Sequence, residues 1–267
     1  MKDMHQNIFP ILLEAGAAIM EVYRDEQKFN TEIKSDLSPL TDADRRSNEI
    51  IIRGLSMHYP DIPIISEETK EAPYEERKKY DRYFLIDPLD GTKEFIKRND
   101  EFTINIAYLE NASPVCGYLY VPVSGITYYA ARGKGAFKID SNHKTSELRS
   151  RPFYLFDPKI KVVASRSHRD ENTERIISHL IEPEVVSAGS ALKFMMIAEG
   201  LAQFYPRLAP TMEWDTAAAQ CILEESGGSV IRYDDLNPLN YNKENLLNPN
   251  FMAMGALLDP ESLKNIF

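Results

Sequence analysis

The stretch Tyr83-Phe84-Leu85-Ile86-Asp87-Pro88-Leu89-Asp90-Gly91-Thr92 runs an apolar segment straight into acidic and turn-forming residues. A short apolar run with such a boundary reads as a buried β-strand. Pro88, with its fixed φ, and Gly91, which tolerates tight bends, predict a turn at its end. Asp87 and Asp90 then face one small volume. Two carboxylates held that close repel each other, and their oxygens are the donors that a hard ion such as Mg²⁺ takes, so a shared divalent cation is the natural partner. Thr92 adds a hydroxyl beside them. Taken alone, the hexapeptide is also an ordinary turn, because Asp-Pro and Asp-Gly are frequent turn formers.

Upstream, Ile64-Ile65-Ser66-Glu67-Glu68-Thr69 delivers Glu67 to a strand end in the same way, although a Glu-Glu pair by itself is more often a solvated turn. Further apolar runs at Phe102 to Leu109, Val115 to Val121 and Ile126 to Ala131 complete a sheet. Ahead of it, Ile8, Ile11, Leu12, Ala15, Ile19 and Val22 lie at helical spacing over Ile8 to Tyr23. Thr41 with Asp44 is a capping box that opens a second helix reaching His58, and the two helices are expected to pair. The polar run Asp140 to Arg151 has no periodicity and predicts a boundary between an N-terminal α+β half, 1–145, and a C-terminal α/β half, 146–267.

In the second half strands and helices alternate: Lys161 to Ala164, Glu171 to Ile181, Glu184 to Val186, Ser190 to Glu199, Ala202 to Tyr205, a helix from Trp214 to Glu225 closed by Gly227, then strands near Ser229 and Phe251. Asp215, in Glu213-Trp214-Asp215-Thr216, sits in the first turn of that helix. There it is either a third acidic ligand or simply a helix-capping residue.

Composition sets the outer bounds. With 43% hydrophobic and 27% charged residues, and only 12 Gly and 16 Pro in 267 residues, the chain is neither disordered nor fibrous. A net charge of −10 argues against a nucleic-acid partner. Cys116 and Cys221 both lie in apolar runs and read as buried thiols, with no disulfide framework. The first residues lack a signal-peptide core, and no window approaches the roughly 18 apolar residues of a membrane span. A cytoplasmic protein without an integral membrane segment is expected, with peripheral attachment, and the choice between monomer and homodimer, left open.

Together, Glu67-Glu68, Asp87 to Thr92 and Trp214-Asp215-Thr216-Ala217-Ala218 resemble the motifs of the inositol monophosphatase superfamily of Mg²⁺-dependent, Li⁺-sensitive phosphatases, and the resemblance spans nearly the whole chain. It implies an α/β (α+β by some schemes) fold, an αβαβα layered sandwich of the inositol monophosphatase and sugar phosphatase type. It also implies two or three Mg²⁺ held by Glu67, Asp87, Asp90, Asp215 and the Leu89 carbonyl, with Thr92 orienting the attacking water and Glu67 sharing in catalysis. The phosphate is expected against the Gly91 and Thr92 N–H groups, as anions lie at helix N-termini.

Lys34-Ser35-Asp36-Leu37-Ser38-Pro39-Leu40-Thr41-Asp42-Ala43-Asp44 is similar to a segment of the 3'(2'),5'-bisphosphate nucleotidases, which implies that Asp36 assists the water; a neutral Leu40 stands where many members have Val. Ser165-Arg166-Ser167-His168 and Tyr205 to Asp215 resemble segments of the bacterial nucleotidases. The substrate so implied is adenosine 3',5'-bisphosphate, a by-product of sulfate transfer, with 3'-phosphoadenylyl sulfate a second candidate. A second phosphate calls for cations beyond the metals, and Lys193 after Gly189-Ser190, Arg207, and Arg166 with His168 are the basic residues in motif-like loops. Ser165 and Ser190 join them as candidate contacts. Lys193 equally suits a solvated helical face and His168 an exposed loop, while Trp214, which could flank an adenine, reads first as core packing. The rival readings are an inositol-1-monophosphatase, a haloacid-dehalogenase-like phosphotransferase, disfavoured by the two residues between Asp87 and Asp90, and a non-enzymatic metal or inositol-phosphate binding protein, which has no use for a water-activating pair.

Overall fold

The computed structural model describes residues 2–25, 31–33, 39–164 and 171–266. Helix α1 (Lys2–Arg24) buries Ile8, Ile11, Leu12, Ala15, Ile19 and Val22 on one stripe and begins earlier than the apolar pattern does. Strands β1 (Thr31–Ile33) and β2 (Pro39–Thr41) pair antiparallel, and β2 leads into α2 (Asp42–His58). The capping box is present there: the Thr41 N–H and hydroxyl both donate to the Asp44 carboxylate, and the Ala43 and Asp44 N–H groups turn back to the Thr41 hydroxyl.

Seven strands follow in sheet order β3 (Ile64–Ser66), β4 (Arg82–Asp90), β5 (Thr103–Glu110), β6 (Ser113–Val121), β7 (Ile126–Ala131), β8 (Ala136–Ile139) and β9 (Thr145–Glu147). Short helices α3 (Tyr74–Arg77) and α4 (Thr92–Lys97) flank β4. Only the β3–β4 pair is parallel. Strand β9 lies inside the run read as a structureless boundary. All three of its residues are exposed at the sheet edge, so no burial period marks it.

The second sheet has the order β11 (Glu184–Val186), β10 (Lys161–Val163), β12 (Phe204–Arg207), β14 (Phe251–Met254), β13 (Ser229–Arg232). Its helices are α5 (Glu171–Ser178), α6 (Leu192–Ala198) and α7 (Glu213–Glu225), of which α5 and α6 are shorter than the sequence pattern predicts.

Side chains on β4 alternate between two apolar layers. Phe84 and Ile86 pack with Ile11, Ala15 and Ile51 of α1 and α2, whereas Tyr83 and Leu85 pack with Ala217, Ala218 and Ile222 of α7. Helix α7 and its neighbour α6 are thus sandwiched between the sheets, and Ala253 and Val230 of the second sheet belong to the same core as Leu85 and Leu119 of the first. On the far side, Ile176 of α5 and Leu263 of the C-terminal 3-10 helix (Pro260–Ile266) cover Val162 and Phe204. The layers are αβαβα, as the resemblance implied. Cys116 and Cys221 are buried and unpaired, and Trp214 packs in the core. Among the described residues no helix is long and apolar enough to cross a membrane.

Candidate metal centre and substrate cleft

In a regular strand Asp87 and Asp90, an odd number of residues apart, would point to opposite faces. Asp87, in step with Tyr83 and Leu85, faces α7; Asp90 would fall with Phe84 and Ile86. The ladder prevents this. Asp87 is paired with Asn105 and Asp90 with Thr103, so three steps on β4 match two on β5, a β-bulge. The bulge turns Asp90 back to the α7 face and sends the Leu89 side chain into the α1–α2 layer. The segment through Asp90 is therefore a bulged strand, and the predicted turn comes only at Gly91. Pro88, which has no N–H to give, occupies the bulge, and its carbonyl accepts from Ser47 Oγ at 2.7 Å. Gly91 then ends the strand at φ 93°, a left-handed conformation suited to glycine, and α4 starts at Thr92.

Asp215, in the first turn of α7, completes the group: one carboxylate oxygen each from Asp87, Asp90 and Asp215 lies within 4.8 Å of the others. Asp87 is buried, and the other two open partly to a cleft. Burial, then the charge of Asp90, pushes Asp215 up to about 8. Burial likewise raises Asp90 to about 6 despite the opposing charge of Lys193, the Ala191 N–H at 2.6 Å and the Asn105 amide at 3.3 Å. Asp87 is held well above the usual carboxylate range by burial and then by Glu67, Asp90, Asp215 and Asp44. Glu67 continues the alternation of Ile65 toward α7, with its N–H on the Ile86 carbonyl at 3.2 Å, and its charge acts on all three aspartates, although it lies outside their tightest grouping. A cluster that repels itself inside the protein, built from oxygen donors alone, fits hard divalent cations.

On the α2 side of the bulge, the Thr92 hydroxyl is 3.2 Å from Asp44 Oδ1 and 3.4 Å from the Leu89 carbonyl. Thr92 is thus paired with Asp44, which the sequence marked only as a helix cap. Asp36 lies outside the described residues, as do Ser165, Arg166 and His168.

The cleft beside the aspartates has a volume of about 640 Å³. Gly91, Ser190, Lys193, Tyr205 and Arg207 line it together with Asp90 and Asp215, and Lys93 and Lys97 of α4 form a wall that the sequence reading did not identify. Ser190 adopts a positive φ of 43° and sits 3.4 Å from the Thr103 hydroxyl, which places the loop before α6 against Asp90. Lys193 Nζ donates to the Ser190 carbonyl at 3.0 Å and lies 5.8 Å from the Tyr205 ring centre, so it faces the cleft rather than bulk solvent. Arg207 gives one Nη2 bond to the Pro210 carbonyl at 3.1 Å, while its buried Nε has no partner among the described atoms.

Residues 3–261 match the Inositol monophosphatase family. The chain is similar to the 3'(2'),5'-bisphosphate nucleotidase CysQ of Salmonella typhimurium, at 43% identity over 93% of this chain and 98% of the relative. It is also similar to the crystal structure of CysQ from Bacteroides thetaiotaomicron, at 40% identity and TM-score 0.80 over 92% of this chain and 94% of that one. An IMPase/NADP phosphatase complexed with Mg²⁺ and phosphate shares the fold, with 19% identity and TM-score 0.81 over 99% and 95% of the two chains.

Proposed function

Because the chain belongs to the inositol monophosphatase family, we propose that its acidic cluster is the Mg²⁺ centre of a 3'(2'),5'-bisphosphate nucleotidase, a phosphatase that removes the 3'-phosphate of adenosine 3',5'-bisphosphate to leave AMP. The observation that carries the metal-centre reading is the convergence of Asp87, Asp90 and Asp215 on one volume, with Glu67 acting on each. These four and the Leu89 carbonyl would hold the two or three ions. When bound, Mg²⁺ supplies neutralisation of the phosphoryl oxygens and acidification of a water.

The chain's own residues handle orientation and the proton. Thr92, donating toward Asp44, keeps its oxygen lone pairs to accept a proton from the attacking water while its own proton passes to Asp44, and Asp44, fixed by the Thr41 N–H and hydroxyl, holds the hydroxyl's orientation and ends the relay as the proton acceptor. The Gly91 and Thr92 N–H groups, at the start of α4, would meet the phosphate. Lys193 and Arg207, which line the same cleft, would supply the charge for the 5'-phosphate, with Ser190 beside Lys193. The first half of the chain brings Glu67, Asp87 and Asp90, and the second brings Asp215 and the basic wall.

The test is phosphate release from adenosine 3',5'-bisphosphate and from inositol 1-phosphate, side by side with Mg²⁺ and in excess chelator. Faster turnover of the nucleotide, abolished by chelation, is expected. Preference for inositol 1-phosphate would replace this assignment by an inositol-1-monophosphatase, and full activity in chelator would overturn the metal centre.

A further inference from the structure

Glu213 stands two residues before Asp215 and is completely buried, yet it takes no part in the acidic cluster. Its carboxylate is consumed instead by an irregular strap at 240–248. Lys243 Nζ donates to Glu213 Oε1 at 2.5 Å, the Asn242 N–H to Oε2 at 2.5 Å and the Lys243 N–H to Oε1 at 3.1 Å. Further along, the strap forms a short antiparallel bridge with the turn that precedes α7. The Glu213 N–H donates to the Leu246 carbonyl at 2.9 Å, and the Asn248 N–H to the Thr211 carbonyl at 2.8 Å. Asn248 Nδ2 donates to the Met212 carbonyl at 2.7 Å. Met212 is held in this way from both sides, and the Met212 N–H is the group that donates to Asp215 Oδ2, at 2.8 Å. The strap is fastened from the other direction by Arg77, which is 2% exposed and donates to Asn242 Oδ1 at 2.6 Å and to the Lys243 and Glu244 carbonyls at 3.2 Å.

We propose that Lys243 is a positioning residue for the metal ligand Asp215. Its ammonium fixes Glu213, the Glu213 anchor fixes the strap, the strap fixes Met212, and the Met212 N–H tethers one oxygen of the Asp215 carboxylate and so limits where the other can turn. Without the ammonium, a buried carboxylate loses its counter-charge beside a centre that is already negative, and the strap has to shift or admit water to relieve it. Groups that hold a metal ligand in this indirect way typically change metal affinity by about 10–100-fold when removed. The inference rests on the metal-centre reading above.

The experiment measures Mn²⁺ binding by the spin-resonance signal of the free ion, in the full chain, for wild type and Lys243→Met, beside Mg²⁺ activation of turnover and thermal unfolding. Lys243→Met is expected to weaken Mn²⁺ binding about 10-fold and to raise the Mg²⁺ concentration for half-maximal turnover in step, with kcat at saturating Mg²⁺ within about 2-fold of wild type. Lys243→Arg is expected to recover most of the affinity. Unchanged Mn²⁺ affinity in the folded Met variant overturns the inference even if its Tm drops, because that pattern describes a merely structural ion pair. Should Lys243→Met fail to fold, Asn248→Ser removes the side-chain donor to Met212 and leaves the ion pair intact; weaker Mn²⁺ binding then supports the tether and unchanged binding overturns it. A wild-type chain that binds no Mn²⁺ would instead overturn the metal-centre reading itself.

Discussion

A threonine hydroxyl has one proton to give and two lone pairs to receive with, and at Thr92 the proton is directed to Asp44 and to the Leu89 carbonyl. Thr92→Val removes that relay at nearly constant volume, and Asp44→Asn removes its acceptor charge. Each is expected to lower kcat by about 10²-fold or more while Mn²⁺ still binds; a matching loss of metal affinity would place the pair in the scaffold of the centre rather than in proton handling. Specificity sits at other residues. Lys193 and Arg207 would meet a 5'-phosphate that 3'-AMP lacks, and one lost charge-assisted bond costs about 1.5–3 kcal/mol. Lys193→Met and Arg207→Met should each lower kcat/KM on adenosine 3',5'-bisphosphate by about 10- to 150-fold and spare 3'-AMP. Equal losses on both substrates would remove these residues from nucleotide recognition. The aspartates themselves were legible because each ends an apolar run or begins a helix, signals carried by adjacent residues. Asp44 was legible only as a cap: its bond to Thr92 spans 48 residues, and no local pattern encodes that contact.

At the scale of elements, the site depends on how closely α7 lies on the sheet. A Cβ on Gly117 of β6 would come within 2.3 Å of the Ala218 carbonyl and 3.0 Å of the Cys221 side chain, so this strand needs glycine to let the helix backbone approach. Gly117→Ala is expected to destabilise the fold by about 1–3 kcal/mol, read as a lower urea midpoint at unchanged slope. The same substitution lifts α7 from the sheet and carries Asp215 away from Asp87, so Mn²⁺ binding should weaken as well. Full stability in urea would mean that the helix yields without cost. Most strands and helices could be read from their apolar period, because each has one face or both against a core. Strand β9 could not be, since it is exposed on the sheet edge, and the bulge between Asp87 and Asp90 could not be told from a turn, because proline and glycine mark both. The alternation of Tyr83 and Leu85 against Phe84 and Ile86 shows what the sequence alone left open, which face each aspartate joins.

For the whole molecule, the acidic centre couples folding to pH and to metal. Asp90 is raised to about 6 and Asp215 to about 8 from an ordinary value of 3.8, in each case mainly by burial. The unfolded chain therefore releases these protons near pH 4, whereas the folded chain keeps them longer. A raised carboxylate value means that stability is full below the unfolded value and is lost as pH rises, here through about 6 and then about 8. Divalent cations act in the opposite sense, because they bind the deprotonated carboxylates and only the folded chain brings those groups together. Their stabilising effect should grow over the same interval. Thermal unfolding in chelator and in saturating Mg²⁺, followed from pH 5 to pH 8.5, is expected to show a metal-induced rise in Tm that increases with pH. In Asp215→Asn, which loses one titrating ligand while Asp87 keeps its raised value, the upper part of that increase, around pH 8, should shrink while the part near pH 6 remains. A metal-induced shift in Tm that is the same at pH 5 and pH 8.5 would mean that the carboxylates are already ionised in the metal-free fold, and that neighbouring cations such as Lys193 offset their repulsion without Mg²⁺.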